Sequence, residues 1–297
     1  MRIIFILFFS LIGAASGYVL VHVPSEETIK GCFKTSMYGV DLCPTDKKTY
    51  VPLKNISSKL QRAIILTEDS AFYTHKGFDE EGLTRCYEKL KETHKITCGG
   101  STITQQLAKN LFLYKDKTFV RKGLEALITV KLEKTLTKKE ILERYLNVVQ
   151  FGKDIYGVKQ AAQFYFKKHP SELDVVESAF LAMVLPNPEK YSKSYYRKDL
   201  TKFARKRISG IVRDMHRYKM LTDDDYFMAM GKLEYFLTTG HQEVDASPTD
   251  LSSDELNEMI DEGAAEAPAV ATDLPPAETP LPDAPAQVEA SEQSTEN

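Results

Sequence analysis

No lysine or arginine occurs after Lys232, although the chain carries 39 of them and runs to 297 residues. The 65 residues beyond Lys232 hold 16 acidic residues, and from Ala246 to Asn297 they are mostly Ala, Pro, Ser and Thr around those acids. Such a segment has too little apolar surface to offset its chain entropy, so residues 241–297 read as a disordered acidic tail rather than a second domain. Cysteine is also scarce, with four in all. No Cys-x-x-Cys or Cys/His ligand spacing appears, which leaves a zinc site without support. Cys32 and Cys43 flank one short loop and Cys86 and Cys98 another, so two local disulfides in an oxidising compartment are the expectation. Alternating strand patterns are missing too, and the body reads as all-α or nearly so.

Taking away the tail changes the electrostatics. The whole chain has a formal net charge of −3, but the body up to Lys232 holds 39 basic and 26 acidic residues, a net +13. A basic body suits anionic partners such as diphosphates or acidic lipids. Nucleic acid fits poorly, because the basic residues are spread over helices around a carboxylate cleft that would repel phosphate. At the other end, Ile3 to Val23 carries no charge except on His22. About 21 residues at roughly 1.5 Å each span the ~30 Å hydrocarbon core of a bilayer. Residues 1–24 therefore read as a membrane anchor or, with the small residues Gly13 to Gly17, as a cleaved signal peptide. Arg2 before this stretch and Glu26 and Glu27 after it favour an external body in either case. Residues 25–54 read as a polar, turn-rich linker and residues 55–240 as the folded domain.

Four stretches in that domain carry chemistry. The first joins an apolar helical run, Leu60, Ala63, Ile64 and Ile65, to Glu68-Asp69, Phe72, His75 and Gly77. A helix taking those apolar residues into a core delivers Glu68 to the core's edge, where partial burial raises a carboxylate's pKa towards the range of a general base. The second is Gly100-Ser101-Thr102-x-x-Gln105-Gln106-x-x-Lys109. There Ile103, Leu107 and Leu111 form a core face, and a glycine-led helix start with a lysine two turns on suits an anion. In the third, Arg121 and Lys122 stand one helical turn before Glu125. The fourth, Ile141-x-x-x-Tyr145-Leu146-Asn147, follows a capping-box spelling at Thr137 to Glu140 and reads as structural. Helices are further expected over Asp79 to Thr93, with Leu83, Tyr87 and Leu90 inward, over Val175 to Leu185, over Lys202 to Tyr218 and over Thr222 to Leu237.

In this order and spacing the four motifs closely resemble the peptidoglycan glycosyltransferases of glycosyltransferase family 51, and the monofunctional biosynthetic transglycosylases among them. The likeness runs on through Tyr156-Gly157-Val158, Tyr165-Phe166 and Leu185-Pro186-Asn187-Pro188. A transpeptidase partner domain is not expected, since no Ser-x-x-Lys occurs. The resemblance implies a lysozyme-like helical domain with a small membrane-facing jaw. It also implies polymerisation of lipid II on the periplasmic side of a cell inner membrane, with one transmembrane helix, the growing glycan as partner and cell-wall synthesis proteins as further partners. Glu68 is then the base that takes the proton of the acceptor's GlcNAc 4-hydroxyl, and the configuration at the donor's MurNAc inverts. Glu125 sits by the leaving diphosphate with Lys109, Lys117, Arg121 and Lys122, and a divalent cation, Mg2+ or Mn2+, at Glu68 or Glu125 is a further expectation. Ser101, Thr102, Gln105 and Gln106 line the cleft; Asp69, Phe72, His75, Gly77 and Asn147 support it. Two departures from the family pattern stand out: Lys167 replaces a glycine after Tyr165-Phe166, and Cys86 and Cys98 bracket the loop before the second motif.

Two other classes compete. A lytic transglycosylase or muramidase also uses a helical domain with a lone Glu, but needs no cationic diphosphate site. A membrane-anchored scaffold would explain the tail and leave Glu68, Gln105, Gln106 and Glu125 without a task.

Overall fold

The computed structural model describes residues 22–94, 100–115 and 118–237. The anchor segment, the acidic tail, Cys98 and Lys117 lie outside these residues, apart from the last three positions of the 1–24 stretch. Among the described residues, no helix is long and apolar enough to cross a membrane.

Early in the described residues a short helix α1 (Glu26–Lys30) is followed by a two-stranded antiparallel ribbon of β1 (Phe33–Lys34) and β2 (Asp41–Leu42). The Cys32–Cys43 disulfide closes that ribbon. Ile29, Leu42, Tyr50, Val51 and Leu53 are buried in the main core, so residues 25–54 are an integral part of the domain and not the linker their polarity suggests. A few apolar residues spaced among polar ones were enough to anchor the stretch.

Helix α2 (Ser58–Glu68) buries Leu60, Ala63, Ile64, Ile65 and Leu66 and ends at Glu68. Helix α3 (Glu80–Thr93) is capped by the Asp79 carboxylate on the Gly82 N–H. Its apolar line faces outward: no residue of α3 is buried, and Leu83 and Tyr87 are 47% and 57% exposed. The helical period was right, but the inward assignment of Leu83, Tyr87 and Leu90 was not, because period alone does not supply an element to pack against.

Three helices then form one side of the core. Helix α4 (Ile103–Phe112) starts in a capping box of Thr102 and Gln105; helix α5 (Phe119–Thr135) follows, and helix α6 (Lys138–Val148) starts in a second box of Thr137 and Glu140. Helix α4 packs on both α5 and α6. From α6, Glu143 accepts the Tyr50 hydroxyl and the Leu53 N–H, at 2.8 and 2.6 Å. One turn on, the Asn147 side chain brackets Val51, accepting its N–H at 2.8 Å and donating to its carbonyl at 2.9 Å. The fourth motif thus ties the N-terminal segment to the core. Strands β3 (Gln150–Gly152) and β4 (Ile155–Tyr156) form a bulged antiparallel hairpin. Together with β1 and β2 it qualifies the all-α expectation only slightly. Gly157 turns this hairpin into helix α7 (Gly157–Phe166) with φ +75°, where a Cβ would stand 2.4 Å from the Asn147 carbonyl oxygen. Helix α7 ends on Lys167 at φ 56°, so the turn forms without its glycine, at the cost of a left-handed lysine.

The other side is built round helix α8 (Val175–Val184), every residue of which is buried. A helix buried on every side has to be central, and α8 packs on α2 and on the basic helix α11 (Lys202–Arg217). Two short helices, α9 (Pro188–Tyr191) and α10 (Lys193–Tyr196), lead into α11. The last, α12 (Asp223–Tyr235), packs on α8 and α11. Lys232 on α12 pairs with Asp174 and Glu177 at the start of α8, where Lys168 also pairs with Glu177 at 2.7 Å.

Candidate active site

The C-terminus of α2 meets the N-terminus of α4 where the two sides join. Asp69, just past α2, accepts the backbone N–H of Ile103 at 2.9 Å and a ring nitrogen, Nε2, of His75 at 2.8 Å. His75 Nδ1 in turn accepts the Gly77 N–H at 3.1 Å, which leaves Nε2 as the protonated nitrogen facing Asp69. The Thr102 hydroxyl donates to the Gly77 carbonyl at 2.7 Å. Gly77 has φ +95°, and a Cβ there would stand 2.8 Å from Thr129 Cγ2. Asp69, His75, Gly77 and Thr102 therefore form one hydrogen-bonded corner between the first two motifs. Phe72, fully buried, lies beneath it with Lys138 Nζ 4.6 Å from its ring centre.

This corner fixes Glu68. Gln106, on the second turn of α4, donates its amide N–H to Glu68 Oε2 at 2.9 Å, and the hydroxyl of Tyr145 on α6 donates to Gln106 Oε1 at 3.0 Å. Glu68 keeps some of its surface open to solvent, but its carboxyl end is enclosed. Burial is the largest influence on that carboxyl and raises its pKa, while the Gln106 amide and the positive charges of Arg207 and Lys109 act to lower it.

Lys109 is the link to the third motif. Burial depresses its ammonium pKa; Glu125 and Glu68 oppose that, and Arg121 and Lys122 add to it. Glu125 is 3% exposed and paired with Lys122, which itself remains half exposed. The structure thus brings Glu68, Lys109, Arg121, Lys122 and Glu125 into one electrostatic neighbourhood. It places Gln105 elsewhere, since its carbonyl oxygen accepts the Thr102 N–H at 3.0 Å and closes the helix cap. Ser101 is exposed ahead of α4. Cys86 is disulfide-bonded, and its expected partner Cys98 falls outside the described residues. Arg207, from α11, bears on Glu68 but was missed by sequence reasoning; its only signal there is membership of a basic amphipathic helix. Among the described residues, no group of three or more His, Cys, Asp or Glu stands together as a metal site. Glu68 lies against the Gln106 amide, Arg207, Lys109 and Asp69, while Glu125 is paired with Lys122.

A carboxylate is thus held at the edge of a helical core with a cationic cluster beside it. The chain belongs to the transglycosylase family, whose model matches residues 38–216. It is 49% identical over 146 residues to a biosynthetic peptidoglycan transglycosylase of Aromatoleum aromaticum, covering 49% of this chain and 64% of that protein. It is likewise 48% identical over 145 residues to the protein of that name from Herminiimonas arsenicoxydans, covering 49% and 63% of the two chains. With the one from Burkholderia cenocepacia it shares 48% over 139 residues, or 47% and 57%. The chain spans somewhat under two thirds of the length of these relatives.

Proposed function

We propose that this protein is a monofunctional peptidoglycan glycosyltransferase that polymerises lipid II, with a lysozyme-like domain held at the periplasmic face of the inner membrane by residues 1–24. The observation that carries this reading is the raised-pKa carboxyl of Glu68 within electrostatic reach of Lys109, which also senses Glu125, Arg121 and Lys122. In this reading the Glu68 carboxylate takes the proton from the 4-hydroxyl of the acceptor's GlcNAc. The freed oxygen bonds to C1 of the donor's MurNAc from the face opposite the diphosphate, and the C1–O bond to the diphosphate breaks. The configuration inverts, and undecaprenyl diphosphate departs with the electron pair. Lys109, Arg121 and Lys122 stabilise its developing charge, with Glu125 holding Lys122 in place. A base with a pKa raised towards the working pH suits the proton transfer.

Helix α5 supports the lipid side of the proposal. Its inner face buries Leu124, Ile128 and Leu132, while Val120, Leu127 and Val130 form a second, exposed apolar stripe beside the fully exposed Phe119. An apolar surface next to a cationic site suits a prenyl diphosphate at a membrane, and α5 would form part of the jaw. The test is to incubate the purified full-length protein with labelled lipid II and, separately, with finished glycan. Growth of glycan strands from lipid II with release of the prenyl diphosphate is expected. Cleavage of finished glycan without chain growth would identify a lytic enzyme instead.

A further inference from the structure

Tyr145 is fully buried on α6, 77 residues after Glu68 in the chain. Nothing in the proposed chemistry uses it. Yet its hydroxyl ends in a hydrogen bond to Gln106, and the other end of that amide is the hydrogen-bond donor to Glu68. We propose that Tyr145 acts through Gln106 as a positioning residue for Glu68, setting which carboxylate oxygen is held and at what pH the group can accept a proton. The inference rests on the reading of Glu68 as the base.

The physical case begins with the amide. The two ends of a glutamine side chain are nearly alike in shape, so its orientation is decided by its partners. A buried phenol must place its O–H on an acceptor, and Gln106 Oε1 is the acceptor it has. That fixes the N–H end towards Glu68 Oε2, leaving Glu68 Oε1 for a substrate proton. A donated N–H favours the ionised carboxylate. Without the phenol O–H, the amide is free to turn its oxygen towards Glu68, and an acceptor in that position favours the protonated acid. The other charged groups acting on Glu68 are Asp69 at the end of α2, Lys109 on α4 and Arg207 on α11. Of the partners that hold the Gln106 amide, the phenol is the one that anchors its oxygen, so it holds the N–H end on Glu68 in either protonation state of the acid.

The experiment measures the pH dependence of lipid II polymerisation for the full-length wild type, Tyr145→Phe, Gln106→Met and the double variant, with Glu68→Gln as reference. The relay predicts that Tyr145→Phe moves the acidic limb of the kcat/KM profile upward by about one pH unit, the scale of one hydrogen bond to a charged group. Activity should fall roughly tenfold on the acidic side and recover towards wild type at high pH. Gln106→Met should give a shift of similar sign, and the double variant should behave as Gln106→Met alone if Tyr145 acts on Glu68 through the amide. A uniform loss at every pH, or additive shifts in the double variant, would overturn the relay and leave Tyr145 a packing residue. Should Tyr145→Phe not fold, a 13C titration of the Glu68 carboxyl in Gln106→Met decides, and an unmoved midpoint overturns the proposal without reference to activity. Polymerisation that survives in Glu68→Gln would instead remove the base itself, and the relay with it.

Discussion

At the scale of single residues, the site works by placing charges where burial changes their chemistry. Glu68 shows this in stability as well as activity. Its folded pKa is raised, so the folded state holds the proton more tightly than the unfolded chain. The stability associated with the neutral acid is fully present below the unfolded carboxyl pKa of roughly 4.3 and is lost as pH rises through the raised value. Glu68→Gln removes that penalty. The variant should therefore melt higher than wild type at pH 8, with the gain shrinking towards pH 4, and thermal unfolding across that range checks it. A gain that grew on acidification would mean that the carboxyl is stabilised as an anion. Lys122 makes the complementary case, since its half-exposed ammonium is paired with the buried Glu125. Lys122→Ala should cost on the order of 10² to 10³ in turnover, the effect of removing one group that stabilises transition-state charge. Full activity with a much lower Tm would make Lys122 a structural ion-pair residue.

At the scale of elements, the turns decide where the catalytic side chains arrive. Gly77→Ala places a methyl 2.8 Å from Thr129 Cγ2 at φ +95° and strains the corner of Asp69, His75 and Thr102. A loss of about 2 kcal/mol is expected, or roughly 4–8 °C in Tm for a domain of this size. Lys167→Gly should do the reverse, since the αL cap of α7 suits glycine: a gain of about 1 kcal/mol with activity unchanged. A neutral or negative shift in the melting curve would show that the lysine side chain compensates for its backbone. Much of this layer was readable from the sequence. The capping-box spelling at Thr137 and the glycine-led start before α4 mark real helix starts, and the run from Leu60 to Ile65 did bring Glu68 to the core's edge. What was not readable depends on which element faces which. Leu83 and Tyr87 keep helical spacing whether or not a neighbour covers them. Arg207 and Tyr145 reach the Glu68 site only because α11 and α6 pack there, a fact that no local pattern contains.

At the scale of the whole molecule, the basic helices and the acidic residues after Lys232 separate charge along one chain. Removing residues 246–297 should leave lipid II polymerisation nearly unchanged, because a segment so acidic and proline-rich has little apolar surface with which to pack on the body. Chain-growth rates of the truncated and full-length proteins test this, and a truncated protein that unfolds would show the segment to be integral. The domain itself brings two sets of helices together so that one carboxylate meets one cationic cluster at their junction. The most direct measurement is the rate of glycan chain growth from labelled lipid II by Glu68→Gln, taken together with the variant's affinity for lipid II. Glutamine keeps the size and hydrogen bonding of the side chain but cannot take a proton, so binding should persist while turnover falls by about 10² or more. Chain growth at close to the wild-type rate would contradict the assignment of Glu68 as the base.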